Sequence, residues 1–229
     1  LNTARILRKN TLDLNKSLER LSSGLRVNRA SDDAAGLAIA EGFQSVVRGS
    51  QVAMRNSQDG ISLVQTTEGA LMETTNMLQR IRELAVQAAN GTNSVGNRAA
   101  LNLEVQQLLS QIDDIAFDTE FNGVRVLSSS QTITLQTGPQ ASQTLQIIMN
   151  SSKTSDLGIS PVSISAVDLA VSSLSLVDMA ILSITTLRSQ LGAVQNRLEF
   201  TISVLGIQEE NMAASESAIR DADIALETQ

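Results

Sequence analysis

AVSSLSLVDMAILSITTLRSQLGAVQNRLEFTISVLGIQEENMAASESAIRDADIAL, residues 170–226, decides how this chain folds. Ala170, Val177, Ile184, Leu191, Leu198, Leu205, Met212, Ile219 and Leu226 recur at strict seven-residue intervals, and no proline interrupts them. Apolar residues at every seventh position keep one seam of a long helix facing a neighbouring helix. At the α-helical rise the stretch predicts a rod of roughly 85 Å. That is longer than a globular domain of this size is wide. The expectation is an elongated molecule built on lengthwise helix contacts.

Upstream, Ala4, Leu7, Leu14, Leu18 and Leu21 predict a first helix over 1–23, closed by Gly24 with Leu25 after it. Ser31, followed by Asp32 and Asp33, reads as the cap of a second helix reaching about Ala89. Its seam includes Ile39, Phe43, Val46, Val47, Ile61, Val64, Leu71, Leu78, Ile81, Ala85 and Ala88. Gly36, Gly42, Gly49, Gly60 and Gly69 weaken a helix, or else let a neighbouring element approach closely. After a turn at 90–94, Leu101, Val105, Leu108, Ile112 and Ile115 predict a third helix over about 96–118, ended by Asn122-Gly123. The period then changes to two. Residues 132–137 and 144–149 read as partner strands around Gly138-Pro139, within a small β region spanning about 124–163. The fold class is mainly α: an elongated, coiled-coil-like bundle of long helices, with a small β-hairpin region between the third helix and the long C-terminal one. The first and last helices are expected to pair, because neither can bury its seam alone.

Composition narrows the function classes. Aromatic residues make up 2% of the 229, with no Trp or Tyr, which favours aliphatic helix seams over a compact aromatic core. With no cysteine, thiolate chemistry and disulfides are excluded. With no histidine, the commonest general base and metal ligand are missing. The net charge is −7 and the basic residues are scattered, so neither nucleic acid nor an anionic membrane is an expected partner. No run of uniformly apolar residues is long enough to suggest a bilayer span, and no cleavable signal is visible. Leu1 is not an initiator Met and Gln229 falls in a stretch still in helical register, so both ends read as cut.

The candidate chemistry is thin. Asp32-Asp33 fit helix capping better than a carboxylate pair. Asp113 and Asp114 are adjacent on a helix and point to different sides. Asp221 and Asp223 are too isolated to chelate a cation. Asn90-Gly-Thr and Asn150-Ser-Ser match a glycosylation pattern that is weak on its own. Arg80, Arg82 and Glu83 form a charged cluster on the second helix, and Glu104 lies on the third; the cluster is either a solvated face or an exposed recognition patch.

Several ordered blocks carry a family resemblance. Glu19-Arg-Leu-Ser-Ser-Gly-Leu-Arg-Val-Asn28 and Asp32-Asp-Ala-Ala-Gly36 resemble the N-terminal signature of bacterial flagellins. Gln65-Thr-Thr-Glu-Gly-Ala-Leu71, Gln79-Arg-Ile-Arg-Glu-Leu-Ala-Val-Gln87 and Thr119-Glu-Phe-Asn-Gly123 continue it. Leu191-Gly-Ala-Val-Gln-Asn-Arg-Leu198 and Ala218-Ile-Arg-Asp-Ala-Asp223 resemble the C-terminal region.

The resemblance implies a structural subunit of the flagellar filament, secreted through the flagellar export apparatus with a chaperone, stacked beneath a cap protein, and polymerised with itself into an extracellular tube. It implies no cofactor and no enzymatic activity. The variable outer domain would be reduced to 128–165, leaving a minimal form truncated at both ends and, for that reason, expected not to polymerise. It divides the chain into 1–30, part of the inner-core terminal helix; 31–127, the N-terminal part of the filament-core domain; 128–165, the short β region; 166–215, the C-terminal helix of that domain; and 216–229, the start of the final inner-core helix.

By the same resemblance an animal Toll-like receptor would bind at Gln79, Arg80, Leu84 and Glu104, with Leu108 standing where recognised members often have Arg. The helix-pairing seam would be Leu7, Leu14, Leu21, Val177, Ile184, Leu191, Leu198, Leu205, Met212, Ile219 and Leu226. Two rivals stay open at this stage. A hook–filament junction protein shares the terminal signatures, and a chemoreceptor-like signalling rod shares the heptads but would turn through a tight helical tip.

Overall fold

The computed structural model describes residues 2–227, and the side chains of residues 3–225. The elements run α1 (Asn2–Ser23), α2 (Ala34–Ala89), α3 (Val95–Asp118), β1 (Glu120–Phe121), β2 (Val124–Arg125), β3 (Gln131–Gln136), β4 (Thr144–Met149), α4 (Val167–Arg220) and α5 (Ile224–Glu227). The fold is mainly helical, with two small antiparallel strand pairs. The contacts divide it into two units. One comprises Leu1–Arg55, Gly138–Gln143 and Thr201–Gln229; the other comprises Asn56–Thr137 and Thr144–Phe200.

The second unit holds the main core. On α2, Val64, Leu71, Leu78 and Ala85 form one buried seven-residue row, and Thr67, Thr74, Ile81 and Ala88 form another three positions on. On α4, Ala170, Val177, Ile184, Leu191 and Leu198 form a matching row, with Ser173, Ala180 and Leu187 beside it. Two rows offset by three residues are the a and d positions of a coiled-coil seam. Buried threonine is tolerated because each hydroxyl satisfies itself on its own helix: Thr67 donates to the Leu63 carbonyl at 2.8 Å and Thr74 to Ala70 at 3.1 Å. Gly60 belongs to this face. A Cβ there would lie 2.3 Å from Leu135 Cδ1 and 3.2 Å from Leu198 Cδ1, so its missing side chain gives β3 and α4 their room.

Val105, Leu109, Ile112 and Ala116 of α3 complete the helical wall. Ser94 caps α3, its hydroxyl accepting from the Asn97 N–H at 3.2 Å. β3 and β4 pair antiparallel from Gln131↔Met149 to Gln136↔Thr144. β4 alternates, with Leu145, Ile147 and Met149 buried. The segment leading to α4 buries Ile159, Val162 and Ile164. Polar side chains of α3 hold it: Asn102 accepts from the Ile164 N–H at 2.9 Å, Gln106 donates to the Val162 carbonyl at 3.0 Å, and Asp113 accepts from the Thr154 N–H and hydroxyl at 2.8 and 2.7 Å.

The first unit is built differently. Gly24, at φ +70°, ends α1 and turns the chain. The next residues meet the end of α4: Arg26 N–H donates to the Arg220 carbonyl at 2.7 Å, Ala222 N–H donates to Gly24 at 3.0 Å, and Leu25 bridges Asp221. α2 starts later than expected. Asp33, not Ser31, caps it, accepting from the Gly36 N–H at 2.9 Å, because Asp32 is drawn into a turn by the Arg29 N–H at 3.2 Å.

Lys16 also bonds Asp32, at 3.0 Å. That contact, with the Arg29 N–H behind it, holds the Asp32 carboxyl below the usual aspartate range. A depressed carboxylate stabilises the fold above its unfolded pKa, and the contribution disappears as pH falls through the folded value. Lys16→Met is therefore expected to raise the Asp32 midpoint in a carboxyl NMR titration, and an unchanged midpoint would refute the contact.

The expected pairing of the first and last helices is not seen along α1. Leu7 and Leu14 are 71% and 62% exposed, Ile6, Leu12 and Leu18 are exposed with them, and Leu21 is half-buried. Among the described residues α1 meets α5, and its Lys16 and Glu19 reach Asp32 and Arg29 of the connector that follows it. The physical reason is reach. α4 ends at Arg220, where the chain leaves the helix through Asp221–Asp223, so the seven-residue row is broken before Leu226.

Two glycines of α2 separate packing from propensity. A Cβ on Gly69 meets nothing within 4 Å, whereas one on Gly49 would sit 2.8 Å from Pro139 Cβ. Gly69→Ala is expected to stabilise the protein by about 1 kcal/mol. Gly49→Ala is expected to lower the melting temperature, because the proline ring cannot yield, and calorimetry of the pair checks both signs.

Candidate functional site

The charged patch is made by one turn of α2 facing one turn of α3. Arg80 reaches across to Glu104, with Nε–Oε1 at 2.9 Å and Nη2–Oε1 at 2.8 Å, and back along its own helix to Glu83 at 3.1 Å. Glu104, then Glu83, hold the Arg80 guanidinium above its ordinary pKa. Gln79, Arg80 and Glu104 are all exposed. An exposed ion pair adds little to stability, so the patch is better suited to contact than to support.

Leu84 does not belong to that surface. It is 1% exposed and shares the core-facing side of α2 with Ile81, Ala85 and Ala88, at helical spacing. It can hold the patch in place, and a partner cannot touch it directly. Leu108 is half-buried and packs against the same core.

Behind the patch, Arg98 of α3 is 8% exposed and crosses to the end of α2. Its Nε donates to the Ala88 carbonyl at 2.9 Å and its Nη2 to Asn90 at 3.2 Å. These carbonyls sit at the negative end of the helix dipole, where a cation is favoured. Arg82 pairs with Asp178 at 2.7 Å and Glu68 with Arg188 at 3.4 Å, tying α2 to α4. Sequence spacing shows none of these cross-helix ties, because the partners lie far apart in the chain.

The predicted seam separates by position. Val177, Ile184, Leu191, Leu198 and Leu205 are buried, Met212 and Ile219 are half-buried, Leu7 and Leu14 are exposed, and the side chain of Leu226 lies outside those described. Among the described residues no three Asp, Glu, His or Cys side chains gather as metal ligands.

α4 also carries a stretch long and apolar enough to cross a membrane, with a window of mean hydropathy 1.8. Lipid is a poor reading of it. Asp178 within it is tied to Arg82, and one side of the helix is committed to the core. Its other side leaves Leu169, Val171, Met179 and Leu182 exposed.

Comparison with known proteins bears on these surfaces. Residues 1–132 match the model of the bacterial flagellin N-terminal helical region, and residues 174–229 match that of the bacterial flagellin C-terminal helical region. The interval between them holds β3's end, β4 and the lead-in to α4. The flagellin of Halalkalibacterium halodurans is 44% identical over 215 residues, covering 93% of this chain and 79% of the relative. The flagellin of Bacillus subtilis (strain 168) is 42% identical over 262 residues, covering 99% and 86%. The crystal structure of Bacillus cereus flagellin superposes with a TM-score of 0.58 at 33% identity, covering 71% of this chain and 94% of that one.

Proposed function

The chain belongs to the bacterial flagellin family and is a structural subunit of the exported, extracellular flagellar filament, and from that premise we propose how its surfaces assemble. The observation that carries the proposal is the exposed apolar stripe of α1. Leucines more than half exposed at 7, 12, 14 and 18 are costly for a soluble helix unless another surface covers them. Residues 1–30 and 216–229 form the inner-core segment, where this stripe is covered by terminal helices in the assembled tube. Residues 31–127 and 166–215 form the filament-core domain around the region 128–165. Leu169, Val171, Met179 and Leu182 on the outer side of α4 meet neighbouring subunits, together with the polar faces of the same helices. Packing is the whole mechanism: no bond is made or broken, and no cofactor is required.

Export through the flagellar secretion apparatus with a chaperone, and insertion beneath a cap protein, follow as partners of that assembly. The test is genetic and visual. In a cell lacking its own filament subunit, the full-length subunit bearing this sequence should restore smooth filaments under the electron microscope. Export without any filament would reject the reading.

A second reading concerns an animal Toll-like receptor. It is favoured by Gln79, Arg80 and Glu104 standing exposed together, with Arg80 and Glu104 already oriented by their ion pair. Arg80→Ala combined with Glu104→Ala is expected to weaken receptor activation by about tenfold or more. Unchanged signalling by a folded variant would reject the patch.

A further inference from the structure

We propose that Asn122 is a spontaneous modification site, whose side-chain amide converts to aspartate and isoaspartate through a cyclic imide closed by the Gly123 nitrogen, and that the fold protects Asn90 from the same reaction. The chain contains two Asn-Gly pairs, Asn90-Gly91 and Asn122-Gly123. Glycine is the successor that least shields the attacking nitrogen, and it leaves the backbone freest to rotate. In the reaction the Gly123 N–H gives its proton to hydroxide. The nitrogen then bonds Cγ of Asn122, and the amide nitrogen leaves as ammonia with a proton from water. A second water opens the five-membered ring at either carbonyl. The net change is one amide and one water to one carboxylic acid and one ammonia, with no oxidation or reduction.

The two sites differ in what holds them. Asn122 sits at φ +50° and Gly123 at φ +77°, the two central positions of a tight turn of the kind that favours Asn-Gly. Asn122 is exposed, and no hydrogen bond to its side chain occurs among the described residues. The turn is closed by two residue pairs, Glu120↔Arg125 and Phe121↔Val124, with the Val126 N–H donating to the Thr119 carbonyl at 3.2 Å beneath them and Arg125 lying over the Phe117 ring. These anchors hold the strand side, while Asn122 and Gly123 stand exposed at the tip, and an exposed hairpin tip opens locally at lower cost than the buried helices, which frees the rotation that ring closure needs.

Asn90 has the opposite surroundings. Its Oδ1 accepts from the Thr92 N–H at 3.2 Å, and its carbonyl accepts from the Asn93 N–H and from Arg98 Nη2, both at 3.2 Å. Asn93 Nδ2 pins the neighbouring Gln87 carbonyl at 2.6 Å. Swinging the Asn90 side chain over the Gly91 nitrogen breaks the Thr92 contact inside a turn clamped by the mostly buried Arg98.

The product matters locally. Asn122 lines an apolar depression of about 200 Å³ together with Asp59, Gly60, Leu63, Phe121 and Val124. A carboxylate at 122 adds a second negative charge there. Isoaspartate also inserts a methylene into the backbone, which the Phe121↔Val124 pairing cannot accommodate. A filament subunit outside the cell would accumulate both products with age.

The test incubates the folded native protein at mildly alkaline pH and physiological temperature, then maps the proteolytic peptides by mass and by isoaspartate content. In the folded protein Asn122 should convert on the order of tenfold or more faster than Asn90, the difference in local opening setting the ratio. In concentrated urea the two should convert at comparable rates, and Gly123→Ala should suppress only the site at 122. Equal conversion at both sites in the folded protein would overturn the proposal. So would an Asn122 rate no faster than that of asparagines followed by bulkier residues.

Discussion

Leu7→Glu combined with Leu14→Glu should abolish filament growth and leave the isolated subunit's stability within about 0.5 kcal/mol of the parent. Both side chains already face solvent at 71% and 62% exposure, so the free subunit loses almost no buried contact when they change. Assembly is another matter. Covering α1 would carry two carboxylates into an apolar contact, and an unpaired buried charge costs several kcal/mol. Because every subunit repeats the defect, the loss multiplies along the tube. Seeded polymerisation of the full-length subunit with and without the two changes, followed by light scattering, reads the first quantity, and urea unfolding reads the second. Growth at the parental rate would mean that the stripe is not a subunit contact.

The second large effect lies in the core. Leu71 is fully buried on the α2 row that also carries Val64 and Leu78, among the α3 and α4 side chains of the same cluster. Leu71→Ala removes its methyl groups and leaves a cavity that rigid helices refill poorly, so unfolding should cost about 2–5 kcal/mol less. The melting temperature should fall by roughly 4–20 °C for a protein of this size. Leu103, 68% exposed on α3, is the control, and its alanine variant should melt within a degree or two of the parent. A similar small effect at Leu71 would show that the α2 seam is not where stability resides.

Much of this was legible because one period dominates. The seven-residue row of α4 needs no knowledge of its partner, so the long final helix and its inward side chains could be read directly. The strands at 131–136 and 144–149 were equally plain, since period two around Gly138-Pro139 has few other readings. The buried rows of α2 were only half visible. They use Ser50, Ser57, Thr67 and Thr74, which hydropathy passes over. A small hydroxyl residue can be fully buried when its own helix supplies an acceptor, as it does for Thr67 and Thr74.

The start of α2 was misread for a related reason. Ser31, Asp32 and Asp33 are all competent caps, and only the pull of Arg29 and Lys16 on Asp32 leaves the role to Asp33. The patch was legible as charge, at Arg80 and Glu104, and illegible as depth. Its position in a family motif placed Leu84 near Arg80, but Leu84 falls on the edge of that face where it joins the buried row of Ile81, Ala85 and Ala88. The tiny β1–β2 ribbon was missed because two pairs leave no periodic trace; only Asn122-Gly123 marked it.

The division between seams buried within a subunit and a stripe reserved for its neighbours can be measured directly, because the chain has no cysteine of its own. Single substitutions Leu14→Cys and Val177→Cys would be exposed to a thiol reagent before and after polymerisation. Val177 is fully buried in the free subunit, so its thiol should react slowly in both states. The Leu14→Cys thiol should react rapidly in the monomer and become protected in the filament. Labelling of Leu14→Cys at the same rate in filament and monomer would contradict the assignment of α1 to the assembled core.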